Sequence, residues 1–252
     1  MKMTQKESKM QNYQGHLEKI SQGADLIPGI YNYCDRWCER CPKTKNCSIY
    51  YMEQEDLVDK NVQKKDLDHI ADIFTITMEL LQEMADELGV DLNEIGGIEI
   101  PDFELGKLEL IAHEYQVATQ KWIVEKSDSL SKYTAKLILF DEEKADVIQD
   151  ILHVINWYGP IIGAKIHRAM SKSETRVIDD IIDFEYQDRR GSAKVALIAM
   201  DRSIGAMKYV LNNLQEEENS SLSFLASLSK MKRLLLNEFP DAMSFIRPGF
   251  DE

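Results

Sequence analysis

Apolar residues recur at spacings of three and four along most of the chain, which is the period of amphipathic helices. The clearest run lies between residues 193 and 214, where the two spacings alternate without interruption. It consists of Ala193, Leu197, Met200, Ile204, Met207, Leu211 and Leu214. Such a run is typical of a seam between packed helices. We therefore expect this segment to form core or a subunit interface.

Further helices are predicted on both sides of this seam. They cover residues 66–89, 103–126, 142–158, 161–170, 173–190 and 220–239. Asp141 precedes two glutamates and predicts an N-cap, because its carboxylate can accept from the free backbone N–H groups of the first turn. Gly159 and Pro160 predict a kink or a break, and Gly191 predicts the end of a helix. The pattern at residues 127–140 is compatible with either a short helix or a linker.

Strand-like alternation is nearly absent from the sequence. Helices joined by short connectors favour an all-α fold, specifically an antiparallel helical bundle with a small N-terminal four-cysteine metal-binding module. We divide the chain into a polar tail at 1–24, the cysteine module at 25–60 and the helical bundle at 61–252.

The composition is that of a globular protein, with 29% charged and 44% hydrophobic residues. A net charge of −14 disfavours nucleic acid as a partner, because the surface repels phosphates. No apolar run approaches the roughly 18 to 20 residues of a membrane span. Residues 1–20 lack the apolar stretch of a signal peptide, so we expect a cytoplasmic location and no membrane partner.

All the cysteines of the chain lie in the run CDRWCERCPKTKNC, as Cys34, Cys38, Cys41 and Cys47. In the reducing cytoplasm, clustered cysteines serve as metal ligands or redox groups more often than as disulfides. The short spacers let consecutive thiolates turn inward on one loop, and Pro42 helps to reverse the chain before the last of them. The sequence therefore predicts a metal centre bound by all four.

The spacing favours a [4Fe-4S] cluster, with Zn²⁺ as the alternative. Structural zinc sites commonly use two cysteine pairs separated by a long spacer, which this run lacks. Iron-sulfur clusters are often bound by closely spaced cysteines, sometimes with a proline directly after one of them, as Pro42 follows Cys41. Because Cys47 would complete the ligation, we expect a closed site that holds structure or carries electrons.

The run CERCPKTKNC resembles the [4Fe-4S] loop of endonuclease III-type glycosylases, in which three cysteines have the spacing CxxCx5C. Cys38, Cys41 and Cys47 match that spacing. The family has a longer spacer before its second cysteine, and its loop lies near the C-terminus after a helix-hairpin-helix. The resemblance is confined to this loop, and it implies a cluster type and not glycosylase activity.

Cys34, Cys38 and Cys41 also have the CxxxCxxC spacing of radical SAM enzymes. Arg40 stands where that family usually has an aromatic residue, and Cys47 would close the iron site that SAM needs. The chain also lacks the alternating strands and helices of a barrel. These departures disfavour radical SAM chemistry.

A second candidate site lies on the predicted helices. Glu109 and His113 are four residues apart, and Asp150 and His153 are three apart, so each pair shares a helix face. Ferritin-like bundles bind two irons through carboxylates and histidines on facing helices, although their ExxH motif is absent here. The alternative function is therefore a metal- or small-molecule-dependent enzyme with a site near His153.

The sequence shows no P-loop and no nucleotide-binding fingerprint. The expected function is thus a metal-binding helical protein with a structural, redox-sensing or interaction role, and the sequence leaves open whether it is an enzyme. A homodimer or another protein partner is expected through the seam at 193–214 or through the aromatic C-terminal segment at 239–252.

Overall fold

The computed structural model describes residues 25–51, 53, 78, 82, 85–86, 105–171 and 179–251, with the side chains of 179–184 excepted. Its long helices are α1 (Lys107–Ile138), α2 (Glu142–Met170), α3 (Asp179–Asn213) and α4 (Glu218–Glu238). No strand occurs in these residues, which confirms the prediction of an all-α fold for them. None of the described helices combines the length and apolar character needed to cross a membrane.

The four helices form the body of the protein through their shared core. α2 packs against α1 and α3, and α4 packs against α3 and α1. The predicted seam on α3 lies in this core, where Leu197, Met200 and Met207 are at most 1% exposed. Of the two roles expected for the seam, the structure therefore assigns it to the core.

The first helix is longer than the sequence predicted. α1 does not end near Lys126 but continues to Ile138, because Leu130 and Thr134 extend the buried face that begins with Tyr115 and Trp122. Residues 127–138, which the pattern left ambiguous, are therefore helical.

The predicted start of α2 is confirmed, because the Asp141 carboxylate accepts the Lys144 backbone N–H at 3.0 Å. Of the kink or break predicted at Gly159 and Pro160, the break is wrong, since α2 runs through both residues without interruption. Packing on both sides of the proline offsets the loss of its backbone hydrogen bond, as Ile155 and Ile162 are fully buried.

The predicted helix end at Gly191 is also wrong, because α3 is continuous through it. A Cβ atom on Gly191 would lie 2.4 Å from Tyr33 Cε1 and 2.8 Å from Phe245 Cε1. This glycine therefore allows two aromatic rings to approach the helix backbone, and it does not end the helix. The predicted beginning at Ser173 lies outside the described residues.

The C-terminal segment packs on the helical body. α4 begins two residues before the predicted Ser220. After α4, Phe239 and Ala242 are buried, and the Phe245 ring lies 4.9 Å from the Tyr33 ring between centroids. Through these residues the segment packs on the rest of the chain.

Other predictions fall largely outside the described residues. The polar tail predicted at 1–24 lies entirely outside the described residues. Of the helix predicted at 66–89, only Met78, Gln82, Ala85 and Asp86 are described, and all four are helical.

By internal contacts the chain forms two compact units. One contains residues 1–27 and 41–104, and the other contains 28–40 and 105–252. Cys34 and Cys38 therefore belong to the unit with the helical body, whereas Cys41 and Cys47 belong to the other.

Candidate functional site

Residues 28–40, here called the anchor segment, carry the first two cysteines. The segment turns at Ile30–Asn32 and again at Cys38–Arg40. Gly29 has a φ of 71° and Arg36 a φ of 59°, so both occupy the left-handed region. Glycine adopts this region freely, but an arginine there is uncommon and must be held by its surroundings.

Asp35, between the two cysteines, connects the anchor segment to two helices. Its Oδ2 accepts the Tyr158 hydroxyl of α2 at 2.6 Å, and Arg202 of α3 contacts both that oxygen and the hydroxyl. Its backbone carbonyl accepts Trp157 Nε1 at 2.9 Å. Burial, followed by the hydrogen bond to Asp35, raises the pKa of Tyr158 to about 12.

Trp37, which precedes Cys38, packs against the same face of α2. Its ring stacks on Trp157 at 5.1 Å between centroids and meets Tyr158 edge-on at 5.8 Å. The Arg40 guanidinium lies 3.8 Å from the Trp37 ring centroid and forms an ion pair with Asp150. The Arg40 guanidinium therefore covers the outer side of the aromatic stack. Aromatic pairs of this kind contribute about 0.5–1.5 kcal/mol to stability beyond the area that they bury.

A second set of contacts holds the residues before Cys34. Lys165 Nζ donates to the Asn32 carbonyl at 2.6 Å, and the Tyr33 hydroxyl donates to Asp188 Oδ1 at 3.1 Å. Arg168 forms an ion pair with the same Asp188 carboxylate at 2.7 Å. Burial lowers the pKa of Lys165 to about 8, with the nearby Cys34 opposing the shift.

The Cys34 thiol is half-buried beside these groups. Its Sγ donates to the Tyr31 carbonyl at 3.4 Å. Burial raises the pKa of Cys34, against opposing effects of the Arg36 backbone N–H and the Lys165 charge. Burial of this cysteine therefore disfavours its thiolate.

The other two cysteines flank a short turn at Thr44–Asn46. The Lys43 backbone N–H donates to Cys41 Sγ at 3.4 Å, and the Cys47 backbone N–H donates to the Thr44 carbonyl at 3.2 Å. Backbone N–H groups that donate to sulfur are part of the surroundings of metal-bound cysteines.

All four thiols are free of disulfide bonds and intermediate in exposure. Residues 34–51 contain no buried residue, so this part of the chain has no apolar core of its own. Across the described residues, no group of three or more His, Cys, Asp or Glu side chains is arranged to hold a metal ion.

The residues of the second predicted site take separate partners. Glu109 accepts the Gly106 backbone N–H at 2.8 Å and pairs with His167 Nδ1 at 2.7 Å. Asp150 pairs with Arg40 of the anchor segment. His113 and His153 are exposed. In this arrangement Glu109 links α1 to α2, and Asp150 holds the anchor segment.

Sequence patterns missed Asp35, Tyr158, Lys165 and Arg202. Asp35 and its hydrogen-bond partners are separated by 122 to 167 residues along the chain. A helical pattern reports which residues face the core, but it does not report which distant segment they meet there. The one usable signal was the density of aromatic residues around the cysteines.

No protein-family model, curated protein or solved structure matches this chain. Its function is therefore argued from its own residues, and the resemblance of residues 38–47 to the glycosylase loop stays a prediction from sequence.

Proposed function

We propose that this chain is a metal-binding protein in which Cys34, Cys38, Cys41 and Cys47 bind one metal centre. We expect this centre to have a structural, redox-sensing or interaction role. The observation that carries the proposal is the absence of any buried residue in the cysteine-bearing stretch 34–51.

A stretch without a core needs another source of stability. Short segments that bury little apolar surface are usually stabilised by disulfides or a metal ion. Disulfides are absent among the four thiols. A metal bound by four thiolates supplies several bonds at once and fixes a loop that hydrophobic packing leaves without support.

The anchor segment supplies a fixed base for such a centre. Asp35 and Trp37 lie between Cys34 and Cys38, and both contact α2. Because each is adjacent to a cysteine, their contacts restrict the backbone from which the two thiols project. Metal binding at these cysteines is thereby coupled to the helical body.

The thiol chemistry is compatible with metal binding that releases protons. A cation must displace the proton of Cys34, whose pKa burial raises. We therefore expect metal affinity to fall as the pH is lowered.

Between the two candidate metals, the close spacing and the proline after Cys41 favour a [4Fe-4S] cluster over Zn²⁺. Metal analysis and visible absorption of anaerobically purified protein distinguish the two. A brown protein with sulfur-to-iron charge-transfer absorption indicates the cluster. A colourless protein with one zinc per chain indicates the structural zinc version of the same proposal.

The decisive variant is Cys41→Ser, compared with Ser48→Ala as a matched control in the same stretch. Removing one of four ligands should lower the metal content of the purified protein to a small fraction of the wild-type value. Ser48→Ala should retain the full content. If Cys41→Ser keeps its metal and its stability, or if the wild-type chain holds neither iron nor zinc, the proposal is wrong.

A further inference from the structure

Apolar residues remain exposed along the outer face of α1. Four of the five positions of a seven-residue repeat carry them, with Leu110 46% exposed, Val117 48%, Val124 73% and Ile138 54%, and Ser131 occupies the fifth position. We call these residues the α1 stripe. It runs for about 42 Å at 1.5 Å per residue, opposite the face of α1 that packs in the core.

The stripe continues at the C-terminal end of α1, where Leu139 and Phe140 are 77% and 79% exposed. Single exposed apolar residues are ordinary, but a periodic row on one helix is typical of an interface. Of the two surfaces that the sequence offered for association, the α3 seam is packed in the core. The C-terminal aromatic segment is packed through Phe239 and Phe245, while its Met243 and Ile246 are 50% and 65% exposed.

We infer that the α1 stripe is a homodimer interface, in which α1 pairs with α1 of a second copy in antiparallel orientation. A repeat of seven residues keeps one helix face toward a partner helix. The stripe is also self-complementary about Val124. With the two Val124 residues facing each other, Leu110 of one copy lies opposite Ile138 of the other.

The charges beside the stripe select this orientation. Glu114, Lys121 and Asp128 are all exposed, and they repeat every seven residues on one side of the stripe with alternating sign. In the antiparallel pair centred on Val124, Lys121 comes within one residue of Asp128 on the second copy, and the twofold axis creates this contact twice. A parallel pair would bring this edge against the other flank of the stripe, where His113, Gln120 and Ser127 include no carboxylate to pair with Lys121.

Lys121 and Asp128 already have partners on α1, but those pairs are weak. Lys121 lies 3.7 Å from Glu125, and Asp128 lies 2.6 Å from Lys132, both at exposed positions. Exposed pairs of this spacing contribute little to stability, so exchanging them for contacts across a dimer costs little.

The test uses charge reversal at the centre of the stripe. In the full chain, Val124→Lys and Val124→Glu should each raise the dimer dissociation constant at least about tenfold, because like charges then face each other at the twofold axis. Sedimentation equilibrium measures the constant. An equimolar mixture of the two variants should recover the dimer, because opposite charges then meet.

Variants of Val117 test whether the two α1 helices are antiparallel. In the antiparallel pair Val117 lies opposite Ser131, so mixing Val117→Lys with Val117→Glu should not restore association. Recovery at this position equal to that at position 124 would indicate parallel helices and would overturn the proposed arrangement.

Leu222 on α4 is the matched control, since it is 48% exposed and lies away from the stripe. Leu222→Lys and Leu222→Glu should dimerise as the wild type does, with helix content checked by circular dichroism for every variant. A monomeric wild-type chain at micromolar concentration overturns the inference, as does equal dissociation by the Leu222 variants. The metal content is unaffected in either case, so this outcome is separate from that of the metal proposal.

Discussion

At the scale of single residues, Asp35 does most to join the anchor segment to the helices. Its carboxylate meets one hydroxyl and one guanidinium, and its carbonyl meets an indole N–H. Tyr158 is the buried member of this network, at 2% exposure. Loss of this hydroxyl would leave the partly buried Asp35 carboxylate with one donor fewer, while Arg202 stays half exposed to water.

Tyr158→Phe should lower the free energy of unfolding by about 1–2 kcal/mol, since the ring remains and only the hydroxyl between Asp35 and Arg202 is lost. Urea denaturation measures the change. Tyr186→Phe is the control, because that hydroxyl donates to Asp241 at 3.2 Å in an exposed position. Its effect should stay within about 0.5 kcal/mol, and an equal loss in both variants would contradict a special role for Tyr158.

Tyr158 also predicts how the stability of the protein depends on pH. Its pKa is raised from 10.0 to about 12 in the folded protein, so folding favours the protonated hydroxyl. This contribution to stability is fully present below the unfolded pKa and is lost as the pH rises through the folded pKa. The stability difference between wild type and Tyr158→Phe should therefore be constant up to about pH 10 and shrink toward pH 12. If the stability difference between the two proteins stayed constant from about pH 10 to pH 12, the raised pKa of Tyr158 would be contradicted.

At the scale of elements, α3 shows how tertiary packing changes the meaning of a glycine. Gly191 lies within a continuous helix, with the Tyr33 and Phe245 rings against its backbone. Gly205 lies in the same helix and has no neighbouring atom within 4 Å of an added Cβ. The two positions look alike in a helical pattern but differ in what surrounds them.

Alanine at these two positions should have opposite effects. Gly191→Ala should destabilise the protein by about 1–3 kcal/mol, because the new Cβ displaces two rings. Gly205→Ala should stabilise it by about 0.5–1 kcal/mol through its higher helix propensity. Chemical denaturation of both variants provides the comparison. If alanine raised the stability at both positions, the rings near Gly191 would move without an energetic cost, and the prediction would be wrong.

At the scale of the whole molecule, the core and the candidate metal centre draw on different residues. The buried core cluster comes from the helices and the segment that follows α4. Trp37 joins that cluster only at its edge, as a partly buried residue. The helical body therefore does not need the cysteine stretch to bury its apolar surface.

If the proposed metal centre is present, its removal should accordingly have a local effect. A chelator applied under anaerobic, reducing conditions should accelerate amide hydrogen exchange in residues 28–51, because those backbone groups lose the ligation that restrains them. The buried amides of α1–α4 should keep their protection, and far-UV circular dichroism should retain most of its helical signal. A cooperative loss of helix on chelation would instead make the metal part of the global fold.

Local chemistry accounts for what the sequence predicted correctly. The Asp141 cap follows from one carboxylate near a free N–H, and the α3 seam follows from spacing alone. The cysteine spacing likewise supports a metal hypothesis from residues only a few positions apart. None of these inferences needs knowledge of which distant segments meet.

The remaining features depend on contacts between segments that are distant in sequence. Pro160 stays inside α2 because the helix is packed on both sides of it, and Gly191 stays inside α3 because two distant rings lie against it. The sequence by itself therefore determined that the described part of the chain is helical and where one of its helices begins. Only the tertiary structure decided that two helices continue without a break, that Asp35 joins three segments and that the α1 stripe stays exposed, because contacts across more than a hundred residues leave no periodic signal.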